Sequence, residues 1–174
     1  MFVLLNGSFG IGKSTVAREL RAVIPHSAIF DPEPIGLILM PLALRRVSDF
    51  QHLPRWRRLT VLGARVVAAY RSTVIVPMAF SELAYLDDVR HGLSLTGRPV
   101  HHFCLTAPLE VVQRRLIGRG ERTDDPKFVW VHRRAAECVD AHRSHRFAVH
   151  IPTEARSSSA IAAHIASHLG RTRS

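Results

Sequence analysis

Two cysteines in 174 residues, Cys104 in an apolar run and Cys138 in a stretch of helical pattern, cannot build a disulfide framework or a four-cysteine zinc site. Their scarcity points to a reducing compartment. The first apolar run, Phe2 to Leu5, is too short for the hydrophobic core of a secretion signal. Every other apolar stretch is broken by Arg, Pro or Asp before reaching the roughly eighteen residues of a membrane span. These absences set the expectation of a soluble, cytoplasmic protein. Lysine is almost missing: of 24 basic residues only Lys13 and Lys127 are lysines, so the excess positive charge is carried by arginine. Arginine favours planar, bidentate recognition of carboxylates or phosphates wherever several converge. With 14 acidic residues the formal net charge is +10, which allows an anionic partner without naming one. Aromatic residues make up only 7% of the chain, so no large aromatic platform can be read from composition.

What is present is a globular composition, 47% hydrophobic against 22% charged, at a length that suits one domain. The apolar runs predict five short strands alternating with helices. The strands are expected over 2–6, 28–30, 74–76, 100–105 and 147–151, and together they predict an α/β domain with a mainly parallel five-stranded sheet flanked by helices. Residues 35–71 read as helical in two or three pieces broken near Pro41 and Pro54. Leu59, Leu62, Val66 and Ala69 mark the apolar stripe expected to face inward there, in a layer covering the site. Helices are also expected from Lys13, over 82–91, from Pro108, over 127–141 and through Ile161, Ile165 and Leu169. No repeat or linker interrupts the chain, and a short basic tail, Arg171 to Ser174, closes it.

Chemistry concentrates where the first strand meets the first helix. Gly7-xxxx-Gly12-Lys13-Ser14 is the P-loop pattern, in the strand–loop–helix context that gives the pattern its meaning. Glycines allow successive backbone N–H groups to turn toward a phosphate, and the helix N-terminus adds its positive end. Gly7, Ser8, Gly10, Ile11, Gly12, Lys13, Ser14 and Thr15 are therefore the candidate nucleotide-binding residues. Lys13 would reach the β/γ oxygens, Ser14 would ligate Mg²⁺ and Thr15 would add a phosphate contact. No Asn-Lys-x-Asp element follows, which points to ATP rather than GTP.

The third strand ends in Pro77-Met78 and lacks the carboxylate expected of a P-loop motor. The acids at a strand end are Asp31 and Glu33. Strand carboxyl ends line the ligand crevice of such sheets, so Asp31 is the candidate general base or metal ligand, with an N-capping or turn role as the alternative. Arg115, Arg119 and Arg122 would share one helical face if the helix from Pro108 continued that far, as a lid-like segment over 115–127 that clamps transferring phosphates. Glu121, Asp124 and Asp125 could hold that segment open through salt bridges. Asp31, Glu33, Trp56, Arg57 and Met78 are the candidate substrate contacts, with Trp56 among arginines offering a ring to stack upon. A packed helix with a solvated basic face accounts equally for the letters around Trp56. His101 and His102 alternate sides of a strand and cannot share a metal, and no other histidine spacing suggests a transition-metal site.

Asn6 to Ser14, Asp-Pro-Glu-x-x-Gly at 31–36, Asp-Phe-Gln-x-x-Pro-x-Trp-Arg at 49–57, Ile-Val-Pro-Met at 75–78 and Val-His-His-Phe at 100–103 together resemble the bacterial tunicamycin resistance proteins. The resemblance runs from Met1 to about Leu169. It implies a nucleoside/nucleotide-kinase-like P-loop fold that binds ATP and confers resistance to tunicamycin, a lipophilic uridine-containing antibiotic. A more distant similarity links the chain to phosphotransferases that inactivate antibiotics. Proteins of this kind can carry a longer basic tail associated with membrane contact, and the present sequence departs from them there. Three functions are thereby set out: an ATP-dependent phosphotransferase acting on a hydroxyl of tunicamycin or another nucleoside-like compound, an ATP-dependent binder that sequesters the drug, and a nucleic-acid end kinase or binding module suggested by the +10 charge and the arginines around Trp56.

Overall fold

The computed structural model describes residues 1–42, 49–147 and 149–171. Five strands form one sheet: β1 (Phe2–Gly7), β2 (Ser27–Ile29), β3 (Thr73–Met78), β4 (Val100–Thr106) and β5 (Val149–Pro152). Their spatial order is β2-β3-β1-β4-β5 and every pairing is parallel. β1 is central and wholly buried, which is why its six residues include no charge. Its side chains alternate between two cores. Val3 and Leu5 face α1 (Lys13–Val23), α5 (Leu109–Ile117) and α7 (Ser158–Arg171); Phe2 and Leu4 face α3 (Pro54–Tyr70) and α4 (Leu83–Ser94). The remaining helices are α2 (Glu33–Leu39) and α6 (Val129–Ala141). This is the P-loop, nucleotide-kinase-like α/β architecture, with a sheet flanked by helices on both faces.

Parallel strands that all enter from one side put their carboxyl ends, and the loops that follow, along one edge. β1 and β3 are locked there by Asn6. Its Oδ1 accepts from the Phe80 amide at 2.9 Å, and its Nδ2 donates to the Phe80 carbonyl at 3.1 Å. His142, just beyond α6, donates from Nε2 to the same carbonyl at 2.7 Å. Burial pulls His142 down to about 4, so it is neutral at pH 7 and carries its proton on the nitrogen facing Phe80.

Several expectations are corrected. In α3 the buried stripe is Trp56, Thr60, Ala64 and Ala68, while Leu59, Leu62, Val66 and Ala69 lie on the solvent side. Small residues at four-residue spacing let the helix approach the sheet closely, and Gly63 meets the Phe30 ring, where a Cβ would come within 2.5 Å. Trp56 is 1% exposed: it packs on Phe50 and Phe80 and donates from Nε1 to the Pro32 carbonyl at 2.9 Å. It is a core residue that fixes α2 on α3 and offers no stacking platform. Met78 is likewise in the core, its side chain packed on the α3/α4 face of the sheet. Phe147 belongs to a short 3-10 turn before β5 rather than to the strand. His102 is buried with neither ring nitrogen hydrogen-bonded, and burial lowers it to about 3. Residues 43–48 of the expected helical layer and Thr172 to Ser174 of the basic tail lie outside the described residues.

Trp56 thus acts on stability. Trp56→Ala is expected to cost about 3–5 kcal/mol and Trp56→Phe, which keeps a ring but loses the Pro32 bond, about 1 kcal/mol. Urea denaturation of both variants measures the difference.

Candidate functional site

The P-loop closes at the carboxyl end of β1 with Gly10 and Gly12 at φ +74° and +104°, a region side-chain-bearing residues rarely enter. A Cβ on Gly10 would also lie 2.8 Å from the Leu116 side chain, whereas Gly12 has open space and is needed only for its backbone. Lys13 begins α1 and folds back over the loop. Its Nζ donates to the Ser8 carbonyl at 2.8 Å and lies 5.5 Å from the centre of the Phe9 ring. Burial lowers the Lys13 pKa, the Glu33 carboxylate opposes that shift, and the Arg119 charge adds to it.

A cavity of about 450 Å³ opens against the loop, walled by Gly12, Lys13, Ser14, Thr15, Glu33 and Arg119. The acid on this wall is Glu33. Glu33 is exposed as a residue, but loss of solvation at its carboxylate raises its pKa; Lys13 works against the rise, and the charges of Asp31 and Asp49 add to it. Asp31 is turned aside: its Oδ1 accepts the Glu33 amide at 3.0 Å, a side-chain turn that leads into α2. Of the two acids expected at this strand end, Glu33 and not Asp31 is on the cavity wall.

The three arginines separate. Arg115 is a bracket: Nη1 donates to the Ile11 carbonyl at 3.1 Å and to Thr153 Oγ1 at 2.9 Å, and Nη2 donates to the Thr153 carbonyl at 2.9 Å. It joins the P-loop to the segment after β5. Arg119 lies on the walls of both the phosphate cavity and an adjoining one of about 220 Å³ that also includes Thr153 and Arg156. Arg122 is exposed and bound to Asp124 through two hydrogen bonds, 3.0 and 2.9 Å. α5 stops at Ile117, so the single helical face expected for these residues does not form.

A second cavity, about 420 Å³, lies beyond the Phe9 ring, which meets Trp130 edge-on at 5.6 Å. Trp130 and Tyr85 are on its walls, with Asp49, Gln51, Ser81 and Arg134 at its polar side. Arg134 reaches Asp49 Oδ2 at 3.0 Å and Ser81 Oγ at 3.2 Å, and also bonds Glu137. Asp49 Oδ1 accepts the Gln51 amide at 2.9 Å, and Gln51 Nε2 donates to the Ala79 carbonyl at 3.0 Å. Arg57 borders this region through the Gln51 carbonyl, Asp88 and the Tyr85 ring. Sequence reasoning did not assign Asp49, Gln51, Ser81, Arg134 or Glu137. Asp49 and Gln51 stood in a recognisable motif, but Arg134 is one arginine among many and carries no local signal. A third cavity of about 440 Å³, beside β4 and β5, touches the P-loop only at Ser8 and Ile11.

Among the described residues no group of three or more His, Cys, Asp or Glu could hold a metal ion, and no helix is long and apolar enough to cross a membrane. The oxygen donors near the phosphate cavity, Ser14 and the Asp31–Glu33 pair, suit Mg²⁺, which takes few protein ligands and completes its shell with phosphate oxygens and water.

The family model described as AAA domain matches residues 2–137. Among solved structures, the tunicamycin resistance protein of Deinococcus radiodurans is 28% identical, with a TM-score of 0.77 over 97% of this chain and 95% of that one. A sugar kinase from Janibacter sp. HTCC2649 is 16% identical, with a TM-score of 0.68 over 97% and 94%. Shikimate kinase from Acinetobacter baumannii is 14% identical, with a TM-score of 0.62 over 98% and 93%. These last two share the fold. No curated protein matches the chain.

The Arg115 bracket has a testable consequence. Arg115→Ala is expected to lower Tm by several degrees and to weaken ATP binding about tenfold or more, read by thermal melts and calorimetric titration.

Proposed function

The chain belongs to the AAA-domain family, and from that premise we propose that it is an ATP-dependent small-molecule kinase that phosphorylates a hydroxyl of tunicamycin or a related nucleoside-like compound. One observation carries the reading: the buried P-loop lysine and the Glu33 carboxylate share a cavity, and Phe9 on its wall meets Trp130 on the wall of a second, polar one. The first suits the phosphates of ATP and the second an acceptor. Structural likeness to a tunicamycin resistance protein supports the choice of acceptor.

In the proposed reaction, Glu33 takes the proton of the acceptor hydroxyl as its oxygen attacks the γ-phosphorus. The new O–P bond forms while the bond from the γ-phosphorus to the ADP oxygen breaks, and ADP leaves. Lys13 exchanges the Ser8 carbonyl for phosphate oxygens, and the P-loop amides hold the charge that develops on them. Arg119, at the seam of the two nucleotide-side cavities, orients the nucleotide, and Arg115 keeps the loop in shape from behind. Asp31 orders the first turn of α2 and with it Glu33. Ser14, with Glu33 across the cavity, is the residue that would hold Mg²⁺, which would supply positive charge to offset that of the transferring phosphates. Lifting the Glu33 pKa brings the base nearer to working pH, so turnover rises as pH rises through that elevated pKa and falls as the carboxylate is protonated below it.

Mass spectrometry of tunicamycin incubated with the protein and Mg²⁺-ATP tests the proposal. A gain of about 80 Da, the mass of one transferred phosphoryl group, is expected. Glu33→Gln should slow transfer by about 10²–10⁴-fold and remove the acidic limb of the pH profile, and Lys13→Ala should abolish transfer. Unmodified drug that binds tightly only with ATP would establish sequestration instead.

A further inference from the structure

We infer that the second cavity selects an electrically neutral acceptor and that Asp49 sets this selectivity by occupying Arg134 in advance. The inference deepens the kinase reading and rests on it for the assignment of this cavity to the acceptor. An arginine inside a substrate pocket would ordinarily recruit a carboxylate or phosphate. Here its charge is already met by carboxylates, although Arg134 Nε and Asp49 Oδ2 have no hydrogen-bond partner. Asp49 is 2% exposed and lies 3.0 Å from Arg134 Nη2, while Glu137 bonds Nη1 of the same guanidinium. The other arginine of the cavity, Arg133, is 3.8 Å from the second oxygen of Glu137. Glu82 adds a third carboxylate to the walls, so acids outnumber arginines there.

An anionic acceptor entering this cavity would have to displace Asp49, leaving a buried carboxylate without its partner, or compete with the half-exposed Glu137. A neutral molecule need not. Hydroxyl, amide and imide groups can bond to the outer faces of paired charges without breaking the pairs. Ser81, Gln51 and the Tyr85 hydroxyl add groups that can donate or accept, and the Trp130 ring supplies an apolar wall for the face of a sugar or base. The chemical class is therefore a neutral polyhydroxylated or nucleoside-like molecule, to the exclusion of sugar acids and nucleotides. Asp49 is a specificity residue: it touches Arg134, and its effect on the acceptor is to deny anions a free guanidinium.

Calorimetric titration without ATP, using two matched pairs, tests the inference: uridine against uridine 5′-monophosphate, and glucose against glucuronate. In the wild type at least one neutral member is expected to bind, at least about tenfold tighter than its anionic counterpart. Asp49→Asn preserves the cap on Gln51 and frees Arg134, so it should narrow or invert that ratio. Glu137→Gln, at a more exposed position, should move it in the same direction and guards against misfolding of the Asp49 variant. An anionic member binding as tightly as its neutral partner in the wild type would overturn the inference. So would the absence of binding by both neutral members, or a ratio unchanged in two folded variants. Because ATP takes no part, a failure of phosphoryl transfer leaves this selectivity measurable, and a loss of selectivity leaves the kinase reading standing.

Discussion

The structure is organised around one buried ammonium. Lys13 is nearly sealed from solvent at the end of the central strand, its charge met by the Ser8 carbonyl and the Phe9 ring, and among the described residues it has no ion pair within 4 Å. Removing a cation from water without a counter-ion is costly, and the depressed pKa expresses that cost. The loop tolerates it because the sheet beneath is rigid and because Glu33 stands across the cavity. A polyanion bound against the loop relieves the cost, which makes the site complementary to phosphate before phosphate arrives.

The two sides of the Phe9–Trp130 pair treat positive charge in opposite ways. On the P-loop side Lys13 is underpaired and Arg119 faces the cavity; on the far side Arg134 is held by Asp49 and Glu137. Lys13 and Arg134 are buried to a similar degree, so burial alone does not distinguish the two sides. What differs is whether the counter-charge is supplied by the protein or left to the ligand. Under the proposed reaction this division would keep an anionic phosphoryl donor apart from a neutral acceptor, since only the P-loop side leaves positive charge for a ligand to meet.

Local features were legible in the sequence. The P-loop, the five strands and most of the helices follow from short-range patterns, since glycine spacing, apolar runs and proline breaks act within a few residues. Periodicity could not choose between two stripes of α3. Leu59, Leu62 and Val66 are the more hydrophobic, but the sheet takes the stripe of Trp56, Thr60, Ala64 and Ala68, whose small side chains permit close approach. Trp56 misled for a related reason: neighbouring arginines suggested an exposed ring, although its N–H had a backbone carbonyl 24 residues away to satisfy. Arg115 was legible as an arginine near the nucleotide but not as a bracket, because Thr153 is 38 residues distant. The second cavity is assembled from Asp49, Ser81 and Arg134, three segments whose meeting is set by the sheet order alone.

Phosphoryl transfer depends on the distance between donor and acceptor, and a small misplacement costs far more than a lost contact. The two cavities are built from different elements, the P-loop after β1 for one and the segment after β3 with α6 for the other. These elements are joined at the carbonyl and amide of Phe80. Asn6 immediately precedes the P-loop and pairs with both groups; His142 reaches the same carbonyl from the end of α6. His142 is buried there and its pKa is lowered to about 4, so it serves the junction as a neutral ring. The polar groups that join the two cavities are therefore separate from the side chains that line either one, so in the proposed reaction the lining residues could change without altering the spacing between the cavities.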